Sequence, residues 1–124
     1  MTEQLTAEGQ QRLQTEANIW LATVRPDGRP HLVPVWFAWY EEKIYACIQA
    51  KSVKTKNIEQ NPHVVLSLEN GSQVVICEGE ATFVAPPWHD DLAAIFQKKY
   101  DWNIHTDKEY DRLVEVVPRK WLMW

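Results

Sequence analysis

Apolar residues along this chain fall mostly in short runs at strand spacing, separated by clusters of turn-forming residues. The first run is Ile19-Trp20-Leu21-Ala22-Thr23-Val24, and Arg25-Pro26-Asp27-Gly28-Arg29 then supplies the Pro-Asp-Gly chemistry of a tight turn. Residues 30–39 return as a second strand, so the two form a hairpin. Pro30 and Pro34 cannot donate to a ladder, which places this strand at an edge or bulge, or breaks it near Pro34, and leaves backbone groups free to face a ligand. After a turn at Tyr40-Glu41-Glu42-Lys43 comes a third strand over residues 44–49. Val64-Val65-Leu66-Ser67-Leu68 is a fourth, and Glu69-Asn70-Gly71-Ser72 turns into a long fifth strand from Gln73 to about Val84, with Gly79 in its middle and Pro86-Pro87 beyond its end. Leu113-Val114-Glu115-Val116-Val117 makes a sixth, followed by a tail from Pro118.

Three segments read as helix. Residues 3–16 are polar, with Leu5, Leu13 and Ala17 on the inner side, as in a surface helix. Between Trp88 and Tyr100 the apolar residues Trp88, Leu92, Ile95, Phe96 and Tyr100 recur at helical spacing, with Asp90 and Asp91 early and Lys98 and Lys99 late, as the macrodipole favours. Ser52 is a good N-cap for a shorter helix running toward Asn61-Pro62. Six short strands with helices only as inserts point to a closed antiparallel barrel rather than a parallel α/β sheet.

Size and charge narrow the function classes. At 124 residues the chain is expected to be a single domain able to bury a core without disulfides. A net charge of −4 gives no overall positive field for nucleic acid or an anionic membrane, so any anion site must be local. No apolar run approaches the roughly 20 residues needed to span a bilayer, and Met1-Thr2-Glu3-Gln4 lacks the basic start and apolar centre of a signal peptide, so a cytoplasmic location is expected. Cys47 and Cys77 fall in predicted strands and outside any C-x-x-C pair, as buried free thiols do, while His31, His63, His89 and His105 are scattered, so no metal site is expected. There is no G-x-S-x-G elbow for a serine hydrolase. Seven tryptophans, Trp121 and Trp124 among them, are more large apolar surface than a small barrel hides easily; a dimer interface and the core are the two outlets.

The segment Ser52-Val53-Lys54-Thr55-Lys56-Asn57-Ile58 carries the most pointed chemistry. It puts two ammonium groups, two hydroxyls and an amide at a helix start directly after an apolar strand. Free N–H groups and partial positive charge at such a start would meet an anion together with the lysines. The same residues also suit a solvated basic face on an ordinary short helix.

Three strings then carry a resemblance. Leu21-Ala22-Thr23-Val24-x-Pro26-Asp27-Gly28-Arg29-Pro30-His31, then Val33-Pro34-Val35-Trp36-Phe37, then Lys54-x-x-Asn57-Ile58-x-x-Asn61-Pro62 together resemble the pyridoxamine 5′-phosphate oxidase-like family of flavin-binding split barrels. The resemblance implies a mainly β fold, a six-stranded antiparallel split β-barrel of Greek-key type with peripheral helices. It also implies a homodimer with two FMN sites at the subunit interface. By position, Ser52, Lys54, Thr55 and Lys56 would hold the phosphate, with Asn57 helping or capping the loop. Cys47, Ile48 and Gln49 would lie along the ribityl chain and ring, and Val33, Pro34, Val35 and Trp36 against the isoalloxazine, largely through backbone groups.

Departures from the family pattern limit the activity implied. Pyridoxamine phosphate oxidases proper carry an arginine at the start of the second-strand segment and a lysine at its end, where this chain has Val33 and Ala38, so vitamin B6 oxidation is not expected. Nor is the histidine-bearing C-terminal region of the haem-degrading branch found. The Pro-Val-Trp-Phe strand looks more like the branch of FMN-binding and deazaflavin-dependent reductases. The implied activity is hydride transfer between FMN, or the deazaflavin coenzyme F-420, and a small conjugated substrate, with the cofactor carrying the chemistry and no dedicated acid or base required. A proton could come from solvent or from His31 or Tyr45, though such residues are more often structural; no catalytic residue is assigned. A non-catalytic flavin carrier or sensor, and a dimeric interaction domain, are the competing classes.

Overall fold

The computed structural model describes residues 4–124, so the expectations at Met1, Thr2 and Glu3 lie outside the described residues. The chain runs α1 (Ala7–Thr15), β1 (Ile19–Val24), β2 (Pro30–Val35), β3 (Ala38–Tyr40), β4 (Lys43–Ile48), α2 (Val53–Gln60), β5 (His63–Leu68), β6 (Val75–Val84), α3 (Asp90–Tyr100) and β7 (Arg112–Met123). All strand pairs are antiparallel, in one sheet of order β2-β1-β5-β6-β7-β4-β3.

That order forces the sheet to curl. Its two edges are β2 and β3, which only Trp36 and Phe37 separate in the chain. Two linking residues reach roughly 11 Å at full extension. A flat sheet of seven strands would put its edges about 29 Å apart at ~4.8 Å per strand. The sheet therefore wraps into a barrel left open between β2 and β3, a split barrel, with the Trp36–Phe37 step crossing the gap.

The same step explains why seven strands are found where six were expected. The second strand is interrupted at Trp36 and Phe37, two residues past Pro34. Phe37 is fully buried there, and its backbone is satisfied from α3 rather than by a ladder: its N–H donates to the Tyr100 hydroxyl at 2.9 Å and its carbonyl accepts from Lys99 Nζ at 3.0 Å. As a result each half pairs with a different neighbour, β2 with β1 and β3 with β4.

A second difference concerns the last strand, expected to stop before Pro118 and found to continue to Met123. The ladder absorbs the proline at an irregularity: the register shifts between Glu78 and Gly79, and Pro118 lies opposite Gly79. A Cβ on Gly79 would stand 2.7 Å from the Val117 carbonyl oxygen, so the two strands come this close only because that residue is glycine.

Residues alternate between buried and half-buried along β1 and most of β6, as expected of strands with one face in the core. β4 is buried on both faces. Inside the barrel lie Ile19, Leu21, Phe37, Ile44, Leu66 and Trp121, closed at one end by Leu13 of α1. Outside, α3 lays Leu92, Ala93 and Phe96 against Ala38, Tyr45, Cys47 and Leu113. Complete burial of a side chain such as Phe96 contributes about 1.5–3 kcal/mol. Both cysteines are buried free thiols. Among the described residues no helix is long and apolar enough to cross a membrane.

Candidate functional site

A cleft of about 550 Å³ opens where the split in the barrel meets the start of α2, lined by Pro34, Val35 and Trp36, by Cys47 and Ile48 of β4, and by Lys54. Asn18, Trp102, Asp107 and Tyr110 complete it. β2 is an edge strand, one of the placements its prolines allow, and the stretch from Pro34 to Trp36 lines the cleft.

Ser52 caps α2 as expected, its hydroxyl oxygen accepting from Thr55 N–H at 3.4 Å. The rest of the hydroxyl chemistry is turned inward. Ser52 Oγ donates to the Gln49 carbonyl at 2.8 Å, and the fully buried Thr55 donates to the same carbonyl at 2.6 Å. Gln49 is exposed and takes part through its backbone. Asn57 is also buried; its amide donates to Thr23 Oγ1 at 2.9 Å, tying α2 to β1. Val33 is half-buried beside Leu21, to which it is paired in register. Lys56 is exposed and lines a separate depression with Arg25, Pro26 and Val53. Of the residues singled out in sequence, then, Pro34, Val35, Trp36, Cys47, Ile48 and Lys54 meet in one cleft. Ser52, Thr55, Gln49 and Asn57 build the frame that holds Lys54, and Val33 and Lys56 stand apart.

Lys54 is half-buried, and burial alone depresses its pKa. No carboxylate among the described residues pairs with it. A cation removed from water without a counter-ion is a destabilising arrangement that a bound anion would relieve. His31 adds a related observation. Its Nδ1 is buried with no hydrogen-bond partner, and burial first, then Arg25 and Lys54, hold its pKa below the usual value. Tyr45, the other candidate proton donor, is buried away from the cleft with its hydroxyl donating to Glu115 at 2.8 Å. Cys47 is pushed up to about 12 by burial and then by Asp107, so it lines the cleft as a neutral thiol.

The aromatic part of the wall is held rigidly. Trp36 stacks on Tyr100 with centroids 4.5 Å apart and planes 6° from parallel, and it meets Trp102 edge-on at 5.8 Å. Trp102, Asp107, Tyr110 and Asn18 were not picked out in sequence. The signal present was two aromatic residues inside the polar stretch between α3 and β7, where no packing pattern asks for them.

The family profile of pyridoxamine 5′-phosphate oxidase matches residues 5–124. The chain belongs to this family. Solved structures agree with the assignment. A conserved hypothetical protein from Mycobacterium tuberculosis is similar over all of this chain and 84% of its own, at 27% identity and TM-score 0.78. An F420 reductase is similar over 91% of this chain and 94% of its own, also at 27% identity, with TM-score 0.72. The haem storage protein HutZ from Vibrio cholerae shares the fold, with TM-score 0.80 over 97% of this chain and 94% of its own at 18% identity. Among curated proteins no sequence match was found. In this pyridoxamine 5′-phosphate oxidase-family chain the donor set fits a flavin phosphate: an unpaired half-buried ammonium beside a capped helix start, next to a flat apolar wall.

Proposed function

We infer that this protein is a flavin-binding oxidoreductase, holding FMN in the cleft and exchanging a hydride with a small conjugated substrate. Lys54 carries the reading, as a half-buried cation without a carboxylate partner in a cleft whose other walls are apolar and aromatic. Membership of a family that generally binds flavins supports it.

In this reading Lys54 and the first turn of α2 bind the phosphate, and Ser52, Thr55 and the Gln49 carbonyl keep that turn in place. Ile48 and Cys47 flank the tail and ring, and the Pro34–Trp36 edge offers backbone groups to the ring. When bound, FMN supplies the two-electron chemistry. The chain's residues orient it and exclude water. His31, its pKa depressed, is a neutral imidazole at neutral pH and acts as a hydrogen-bonding group behind Lys54 rather than as a second fixed charge.

The deazaflavin coenzyme is the second reading, favoured by the similarity to an F420 reductase. Lys54 would serve its phosphate equally well. A net charge of −4 does not favour its acidic tail, and FMN is preferred. Val33 and Ala38 stand where pyridoxamine phosphate oxidases proper carry basic residues, so vitamin B6 oxidation is not proposed.

The working unit in this reading is a homodimer in the cytoplasm, with the partner protomer closing the open side of the cleft. Supporting it, Trp36 is 48% exposed at the cleft mouth, and Leu32 of β2 and Val65 of β5 are exposed as well. Sedimentation should give twice the 14.5 kDa chain mass. The experiment that tests the function is an absorption spectrum of the purified protein with mass analysis of the small molecule it releases, followed by NADH and NADPH oxidation assays. Released FMN with turnover supports the reading. Bound flavin without turnover makes the protein a carrier, and protein that stays colourless after incubation with FMN or deazaflavin overturns it.

A further inference from the structure

Part of the cleft wall is built by the segment between α3 and β7, anchored by the fully buried Ile104. Asp107 pins it. One carboxylate oxygen accepts from Trp102 Nε1 at 2.8 Å, and the other from the backbone N–H groups of Glu109 and Tyr110 at 2.9 and 3.1 Å. Tyr110 meets the Trp102 ring edge-on at 5.5 Å, and Trp102 in turn meets Trp36. The stack on Tyr100 covers one face of Trp36, yet the residue keeps nearly half its surface exposed. The result is a fixed aromatic corner, open to the cleft.

Charge gives this corner a preference. The hydrogen bonds from Trp102, Tyr110 and Glu109 hold the Asp107 carboxyl below its usual range, so it is ionised at neutral pH. No cation among the described residues pairs with it. Its field extends to Cys47 across the lining. The cleft is therefore polarised, with an ammonium at Lys54 and a carboxylate at Asp107. The face of Trp36 away from Tyr100 is negative as well, as aromatic faces are.

We propose that this corner is the substrate subsite, and that it selects a planar aromatic compound whose ring is neutral or cationic while rejecting the anionic counterpart. The proposal rests on the flavin reading in one respect, that the Lys54 side is occupied by the cofactor and the corner is left for the second ligand. Trp36, Trp102 and Tyr110 give the aromatic contact, and Asp107 sets the sign of the charge accepted.

Three ligands on one bicyclic frame test it: N-methylquinolinium, quinoline and quinoline-2-carboxylate, titrated by calorimetry into the full chain with and without FMN. In the FMN-loaded protein, where the phosphate takes Lys54, the cation should bind most tightly and the carboxylate most weakly, with about a tenfold spread, as attraction of one ligand and repulsion of the other by a single carboxylate produce. Asp107→Asn removes the charge and keeps one acceptor oxygen, for either Trp102 or the backbone N–H groups of Glu109 and Tyr110; it should collapse the spread, with any loss of affinity common to all three ligands. Trp102→Leu should weaken all three and keep their order. Equal affinities in the unmodified protein, no binding of any of the three at millimolar concentration, or a spread that survives Asp107→Asn would each overturn the proposal. FMN binding without the charge order refutes the subsite alone. The charge order without FMN binding refutes the flavin reading and leaves the corner as a site for aromatic ligands.

Discussion

Replacing Tyr100 by Phe removes one oxygen atom and should cost this protein about 2 kcal/mol of stability, the middle of the range for an orphaned buried donor. The hydroxyl accepts from the Phe37 N–H at 2.9 Å and donates to the Ala17 carbonyl at 2.8 Å, with the Phe37 carbonyl at 3.1 Å. Burial pushes its pKa up to about 12, so it keeps the proton it donates. Ala17 is exposed and its carbonyl can turn to water. Phe37 is fully buried, at the step where the strand leaves one edge of the sheet for the other, and its N–H would lose its partner. An orphaned buried donor costs about 1–3 kcal/mol. The phenyl ring left by the substitution would still stack on Trp36, so that contribution, about 0.5–1.5 kcal/mol, is retained. Urea denaturation at fixed protein concentration should show a lower midpoint with an unchanged slope, and a melting temperature lower by about 6–12 °C. Tyr100→Leu should lose the stacking as well and fall further. Stability of Tyr100→Phe within about 0.5 kcal/mol of the unmodified protein would refute the claim that this hydroxyl satisfies the strand break.

Two other perturbations test the frame. Burial lowers the Lys99 pKa from 10.5 to about 8, so between those values the unfolded chain binds more protons than the folded one, and this residue makes stability rise with pH through that window. In Lys99→Met the rise should be missing from chemical denaturation curves taken from about pH 7.5 to 10; an identical pH profile in the two proteins would contradict the assignment. Gly79→Ala should destabilise by about 1–3 kcal/mol, because the added methyl would stand 2.7 Å from the backbone oxygen of Val117 in the neighbouring strand; thermal melting checks it, and an unchanged midpoint would mean that the strands can separate at the bulge.

Much of the barrel was legible because its strands alternate and its turns use residues of known habit. β1 was expected over the residues it occupies, and Pro-Asp-Gly, Glu-Glu and Asn-Gly mark the turns around it and later in the chain. The interruption at Trp36 and Phe37 was only half legible. Pro34 announced a weak ladder, but the partners that make the break stable, Tyr100 and Lys99, come from a helix more than sixty residues away. The run of β7 through Pro118 was hidden for a similar reason, since it depends on a glycine in the facing strand.

At the candidate site, one wall could be read and the other could not. The order of the second-strand edge, the third strand and the capped helix brought Pro34, Val35, Trp36, Cys47, Ile48 and Lys54 together. Residue type alone did not reveal which polar side chains face outward. A threonine and an asparagine suit a phosphate as well as they suit a buried tie, and Thr55 and Asn57 make buried ties. Lys54 and Lys56 looked alike in sequence, yet two positions along α2 separate the cleft from open solvent. Trp102, Asp107 and Tyr110 reach the site only through tertiary packing around Ile104.

The difference between the two lysines gives the most direct measurement: FMN affinity of the unmodified protein, Lys54→Ala and Lys56→Ala, titrated by flavin fluorescence at one salt concentration. Loss of a charge-assisted hydrogen bond from Lys54 is worth about 1.5–3 kcal/mol, on the order of a ten- to hundredfold weaker Kd. Lys56→Ala, an exposed site facing another depression, should change Kd by no more than a few-fold. FMN binding that is unaffected by Lys54→Ala, or affected equally by both substitutions, would contradict the placement of the phosphate at the start of α2.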